Sequence, residues 1–132
     1  MTKKKIRVLV VDDHLVWRKT LKMSFAILPD VGAVDALPND LRVIPFCKNT
    51  QPDLILMDIN LFDAPDGFAL AREVIHSVPN AKIIGVTADV LPDALELAQT
   101  AGLQALISKD RLLDHLSRKQ LHHLSQSEKS LT

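Results

Sequence analysis

The chain has 132 residues, which is enough for one domain with a buried core but not for two. Hydrophobic residues make up 47% and charged residues 24%, which is the composition of a folded globular protein. The 16 basic and 16 acidic residues give a formal net charge of zero, and this argues against non-specific nucleic-acid binding through a basic surface. The balanced charge does not exclude binding to other proteins.

Cys47 is the only cysteine, which excludes an internal disulfide and a thiolate metal cluster. It lies in the apolar stretch IPFC, so we expect a small buried hydrophobe. The N-terminus is basic and then apolar like a signal peptide, but its apolar run, residues 8–11, is too short for a secretory core. No stretch approaches membrane-spanning length. We therefore expect a cytoplasmic protein without a membrane partner.

Five short apolar runs predict β-strands. In chain order they are residues 6–11, 31–37, 54–57, 82–86 and 103–107. Most of these runs are continuous rather than alternating, as expected for parallel strands that are covered on both faces.

Helical patterns separate the strands. Apolar residues at helical spacing over residues 17–28 predict the first helix. Further helices are predicted to begin at Asp66–Gly67, to lie between Pro92 and Gly102, and to run from about Asp110 to about Leu124.

Residues 39–49 should form the second crossover helix, but Pro45 lies near the middle of this segment and would kink or end a helix. We expect a short or irregular helix there. The polar tail, residues 125–132, is expected to fray, so the domain proper spans residues 1–124.

Alternating strands and helices predict an α/β domain with a parallel sheet and right-handed crossovers. Ligands of such sheets bind beyond the carboxyl ends of the strands. The predicted strands deliver five polar residues to that edge, namely Asp12, Asp13, Asp58, Thr87 and Lys109.

These residues have the chemistry of a phosphoryl site. Three neighbouring carboxylates raise one another's pKa unless a cation neutralises them, and a hard divalent ion such as Mg²⁺ is the simplest solution. Lys109 adds a second positive charge, and the Thr87 hydroxyl can donate a hydrogen bond. Asp58 could then act as a nucleophile that forms an acyl phosphate.

Five stretches, in this order and at these separations, resemble the receiver domain of two-component response regulators: VLVVDDH, PDLILMD, DGFALARE, IIGVTA and LISKD. The resemblance covers residues 5 to about 122. It implies the flavodoxin-like (CheY-like) fold, a doubly wound five-stranded parallel sheet of order 2-1-3-4-5 that is flanked by five helices.

The resemblance also implies roles for the site residues. Asp58 would accept a phosphoryl group from a histidine kinase or phosphotransfer protein. Asp12 and Asp13 would bind Mg²⁺ (or Mn²⁺), with help from Asp58 and the backbone carbonyl of Asn60. The implied ligands of the phosphoryl oxygens are Thr87 and Lys109. Such a domain is a signalling phospho-acceptor and not an enzyme, with at most Mg²⁺-dependent self-phosphorylation and autodephosphorylation.

The stretches DDHLVWRKTL and SKD resemble the receivers of NarL-type transcription factors, in which a helix-turn-helix domain follows after a linker. The chain ends before such a domain, so we expect a stand-alone or excised receiver that does not itself bind nucleic acid. A homodimer through the last helix is an alternative to a monomer. We interpret His14, which follows the acidic pair, as a helix-start residue and not as a metal ligand.

The sequence departs from the family pattern in three places. Leu106 stands where the family usually has Tyr or Phe as a switch residue, the loop INLFDAPDG is one residue longer than usual, and Pro45 disrupts the second crossover. These departures favour an alternative function, a degenerate receiver that acts as a constitutive protein-docking module. A phosphatase with an aspartyl nucleophile is a weaker alternative, because VVDDH lacks the two-residue spacing of nucleophile and acid.

Overall fold

The computed structural model describes residues 4–59, 67–88, 90–117 and 129–130. Strands and helices alternate along the described chain. In order they are β1 (Ile6–Val11), α1 (Leu15–Ala26), β2 (Val31–Leu37), α2 (Val43–Thr50), β3 (Leu54–Asp58), α3 (Gly67–Ser77), β4 (Lys82–Thr87), α4 (Pro92–Ala101), β5 (Ala105–Ser108), α5 (Lys109–Ser117) and β6 (Lys129–Ser130).

The sheet has the order β2-β1-β3-β4-β5-β6. The first five strands in this order pair in parallel, and β6 pairs antiparallel with β5. The predicted fold class, five parallel strands in the order 2-1-3-4-5 with five helices, is confirmed.

The observed strands end where the polar residues begin. β3 and β4 each run one residue further than predicted, so that Asp58 and Thr87 are the last residues of their strands. β5 begins two residues later than predicted, because Leu103 still belongs to the end of α4: its N–H donates to the carbonyl of Ala98 at 3.1 Å. Helix α4 ends at Gly102, whose φ of 92° lies in the left-handed region that glycine adopts readily.

Helix α2 shows why Pro45 does not disrupt the crossover. The helix begins at Val43, so Pro45 lies in its first turn, where a backbone N–H has no partner within the helix. The expected kink is therefore wrong, whereas the expected short helix is confirmed. Cys47 is buried on this helix as predicted, and burial raises the pKa of its thiol to about 11.

Two apolar clusters cover the two faces of the sheet, and β1 contributes to both. Leu9 and Val11 belong to the cluster beneath α2, α3 and α4, whereas Val8 and Val10 belong to the cluster beneath α1 and α5. Each of these four side chains is at most 1% exposed. Such burial stabilises the fold by about 1.5–3 kcal/mol per side chain, and it fixes the direction in which β1 leaves the core at Asp12.

Two residues of the predicted polar tail belong to the sheet. Lys129 and Ser130 pair with Leu106 and Ala105, so that this stretch of β5 has a neighbour on the side where it would otherwise be an edge. Asp66, the rest of the tail and the predicted extension of α5 to residue 124 lie outside the described residues. Within the described ranges, no helix has the length and apolar character that a membrane span requires.

Candidate functional site

The predicted polar edge exists. Asp12 follows β1 directly, Asp58 ends β3, Thr87 ends β4, and Lys109 follows β5 as the first residue of α5. The strands are parallel, so these residues reach the same edge of the sheet. Thr87 is buried, and Asp13, next to Asp12, is exposed.

Asp12 is a buried carboxylate, with only 1% of its surface exposed. Its Oδ1 accepts a hydrogen bond of 2.8 Å from the backbone N–H of His14 and lies 3.1 Å from His14 Nδ1. Its Oδ2 forms no hydrogen bond with the described residues, although the Lys109 ammonium lies 3.4 Å away. Since an unsatisfied buried carboxylate oxygen is costly, this oxygen favours a cation nearby.

Lys109 lies between the buried carboxylate of Asp12 and the partly buried carboxylate of Asp58. Its Nζ is 3.4 Å from Asp12 Oδ2 and 3.7 Å from Asp58 Oδ1. One ammonium and two carboxylates leave a net negative charge in a partly desolvated site, where charges interact more strongly than in water. The net negative charge of the site therefore favours the binding of a further cation.

The pKa of Asp58 is raised above its ordinary value. Burial is the largest cause and the charge of Asp12 comes next, whereas Lys109 and His14 lower the pKa; Asp13 raises it least. Because the ionised form of Asp58 is disfavoured, a cation bound beside it would stabilise that form.

The residues fit a hard divalent cation. Asp12, His14 and Asp58 can each offer one ligand atom, and these atoms lie within 4.8 Å of one another. Two carboxylates of which one carries an unsatisfied oxygen suit Mg²⁺, which takes one or two carboxylates together with water. His14 is the N-cap residue of α1, as predicted, although its ring also belongs to this group.

One predicted ligand, Asp13, is not part of this group. Asp13 Oδ1 accepts a hydrogen bond of 2.8 Å from the backbone N–H of Asn39, at the rim of the site. Its role as a ligand stays a prediction. Asn60 and the rest of the longer loop after β3 lie outside the described residues.

Two residues that the sequence analysis did not assign to the site reach it from α1. Arg18 Nη1 donates a hydrogen bond of 2.8 Å to the backbone carbonyl of Asp12, and Lys109 Nζ lies 5.0 Å from the centroid of the Trp17 ring. Both residues follow His14 by about one helical turn, which brings them back to the end of β1. That spacing could have identified them.

The switch position, Leu106, lies on β5, three residues before Lys109. Leu106 is fully buried in the cluster beneath α2, α3 and α4. A Cβ added at Gly85, its neighbour in the pairing of β4 with β5, would lie 2.8 Å from Leu106 Cδ1. The leucine thus fills the space above this glycine.

Residues 8–120 match the response regulator receiver domain, and the chain belongs to this family. Members are signalling phospho-acceptor domains and, for the most part, not enzymes.

Relatives in Bacillus subtilis include the uncharacterised transcriptional regulatory protein YhcZ, 30% identical over 118 residues that cover 89% of this chain and 55% of YhcZ. The transcriptional regulatory protein ComA is 30% identical over 122 residues, 90% of this chain and 56% of ComA. The chain thus spans about half the length of these relatives.

Solved structures support the fold. The receiver domain of Thermotoga maritima CheB has a TM-score of 0.71 at 23% identity, over 89% of this chain and 97% of that one. The receiver domain of the NarL regulator of Mycobacterium tuberculosis has a TM-score of 0.70 at 22% identity, over 87% and 98%. At these identities, the similarity shows the fold alone.

Proposed function

We propose that this chain accepts a phosphoryl group on Asp58, from a histidine kinase or a phosphotransfer protein, in a Mg²⁺-dependent reaction. The observation that carries this proposal is the arrangement of one ammonium between two desolvated carboxylates. Lys109 neutralises only one of the charges on Asp12 and Asp58, and one buried oxygen of Asp12 lacks a hydrogen bond among the described residues.

In the proposed reaction, a carboxylate oxygen of Asp58 attacks the phosphorus of a phosphohistidine. The new P–O bond forms as the P–N bond breaks, and the donor imidazole leaves with the electron pair and takes up a proton. Lys109 Nζ, 3.7 Å from Asp58 Oδ1, would bind a phosphoryl oxygen. Thr87, at the end of the neighbouring strand, would donate its hydroxyl hydrogen to another.

Asp12 and Asp58 would hold the Mg²⁺, and Asp13 and the carbonyl of Asn60 are further predicted ligands. When bound, the ion supplies positive charge that offsets the repulsion between the carboxylates and the incoming phosphoryl group.

We place this signalling in the cytoplasm. Because YhcZ and ComA are named as transcriptional regulatory proteins, we propose transcription as the output. A homodimer through the last helix stays a prediction.

Incubation with acetyl phosphate and Mg²⁺, followed by intact-mass measurement, tests the proposal. We expect one phosphoryl adduct on the unchanged protein and none on Asp58→Asn or after chelation of the metal. Asp53→Asn is the matched control, because Asp53 precedes the same strand at its opposite end and accepts a hydrogen bond that an asparagine oxygen can also accept. An unmodified wild-type protein, or an adduct that survives Asp58→Asn, would overturn the proposal.

The buried Leu106 favours one alternative, a docking module whose partner binds regardless of phosphorylation. Its mark is equal affinity for the partner before and after phosphorylation. A difference in affinity that disappears in Asp58→Asn would contradict the alternative.

A further inference from the structure

Trp17 is the only tryptophan of the chain, and it lies on α1 beside the site. It is partly buried and packs against the apolar cluster beneath α1 and α5. The ammonium of Lys109 lies over its ring, 5.0 Å from the centroid. At this distance the negative face of an indole attracts a cation, and the attraction is stronger where water is partly excluded.

The carboxylates alone do not fix the position of this ammonium. The Nζ of Lys109 is 3.4 Å and 3.7 Å from the nearest oxygens of Asp12 and Asp58. Both distances exceed the roughly 2.7–2.9 Å of a charge-assisted hydrogen bond. A lysine side chain has four flexible carbons, so further contacts are needed to hold it in one place. The Trp17 ring, 5.0 Å from the ammonium, provides such a contact.

The position of Trp17 on its helix separates this role from simple packing. Leu21 and Phe25, one and two turns further along the same face, are 1% and 0% exposed and serve only the core. Trp17 packs against the same cluster but keeps a ring face for the ammonium. An aliphatic side chain could supply the apolar contact, but it has no π-face to attract a cation.

We infer that Trp17 is a positioning residue for Lys109, and that through Lys109 it controls how fast Asp58 is phosphorylated. This inference rests on the proposed function. It also makes Trp17 a reporter, because a phosphoryl group on Asp58 attracts the ammonium and thereby changes the surroundings of the indole. The fluorescence of this single tryptophan should therefore change when Asp58 is phosphorylated.

The first experiment compares Trp17→Phe with Trp17→Leu. Phe keeps an aromatic face, whereas Leu keeps apolar bulk alone. We expect the rate of phosphorylation by acetyl phosphate and Mg²⁺ to fall about three- to tenfold in Trp17→Leu and to stay within about twofold of wild type in Trp17→Phe. Equal thermal midpoints of the two variants would show that folding does not cause the difference. Equal rates in both variants and wild type would overturn the inference.

A double-mutant cycle with Lys109→Met tests whether Trp17 acts through the lysine. The inference predicts that Trp17→Leu slows wild type but has no further effect in the Lys109→Met background. An equal slowing in both backgrounds would show a purely structural role. Failure of the proposed function is distinguishable, because in that case the wild-type protein gains no adduct at all.

Fluorinated tryptophans provide a test that does not change the fold. The single tryptophan allows biosynthetic replacement at this one site, and each added fluorine weakens the negative face of the ring while nearly preserving its shape. We expect the phosphorylation rate to fall steadily with the number of fluorines. A rate that does not depend on fluorination would overturn the inference even if Trp17→Leu misfolds.

Discussion

Two neighbouring regions at the carboxyl edge of the sheet hold their central side chains in opposite ways. At the ends of β1 and β3, Asp12 and Asp58 are desolvated and share a single ammonium, and one oxygen of Asp12 lacks a hydrogen bond among the described residues. On β5, Leu106 is fully buried against Gly85 and other apolar residues. The first region carries an excess of negative charge, whereas the second is already satisfied by packing.

This difference indicates that the proposed phosphoryl chemistry and the switch position depend on different side chains. An aromatic residue at position 106, which the family usually has, carries an amphipathic or large ring that can exchange between environments. Leu106 has no polar group that would benefit from exposure, and moving it would leave a cavity above Gly85. Changes at Leu106 should therefore alter the stability of the domain, while the proposed phosphoryl chemistry depends on the polar residues at the strand ends.

The largest effect is expected for Leu106→Ala. Removing a fully buried leucine should lower the free energy of unfolding by about 2–5 kcal/mol, as measured by chemical denaturation. The phosphorylation rate of the folded variant should stay near wild type. The control is Leu97→Ala on α4, whose side chain is 44% exposed, and it should cost less than about 1 kcal/mol. A rate as low as that of Lys109→Met would show that Leu106 takes part in the chemistry.

A smaller loss, about 1–3 kcal/mol, is expected for Gly85→Ala, because the new Cβ would meet Leu106 Cδ1 at 2.8 Å. Combining it with Leu106→Ala should relieve the closest part of this crowding, while the contacts with Ile59 and Leu103 at 3.0 Å remain. Denaturation of the single and double variants measures the coupling, and the double variant should be less destabilised than the sum of the two. Additivity within about 0.5 kcal/mol would contradict the packing contact.

The sequence was sufficient where a pattern maps directly onto the backbone. Continuous apolar runs identified the five parallel strands, and the order of the polar residues after them placed Asp12, Asp58, Thr87 and Lys109 at one edge. Parallel topology makes this inference nearly independent of side-chain detail, since the carboxyl ends of neighbouring strands coincide.

The sequence was insufficient where a single backbone or rotamer choice decides the outcome. Pro45 is harmless because α2 begins only two residues earlier, a boundary that the pattern did not locate. The pairing of Lys129 with Leu106 joins residues far apart in the chain, without a local signal. The contacts of Trp17 and Arg18 with the site depend on how α1 leaves β1.

A substitution in the charged region, Asp58→Asn, is expected to stabilise the fold, whereas the substitutions in the apolar region are expected to destabilise it. Folding raises the pKa of Asp58 from its ordinary value of 3.8, chiefly through burial and the charge of Asp12. Ionised Asp58 therefore opposes folding. This cost is absent below the unfolded pKa, grows as the pH rises from there through the raised folded pKa, and is constant above it. A neutral isostere avoids the cost.

Asp58→Asn should accordingly unfold at a higher denaturant concentration than wild type at neutral pH, in the absence of divalent metal. The advantage should shrink as the pH falls and vanish below the unfolded pKa of Asp58, because wild type then carries a protonated, neutral side chain as well. Denaturation curves of both proteins across this range, with Asp53→Asn as the control, measure the difference. A difference in stability, of either sign, that does not vary with pH would mean that ionisation of Asp58 does not destabilise the fold. If Mg²⁺ then raises the stability of wild type more than that of Asp58→Asn, the charge that opposes folding is also the charge that binds the metal.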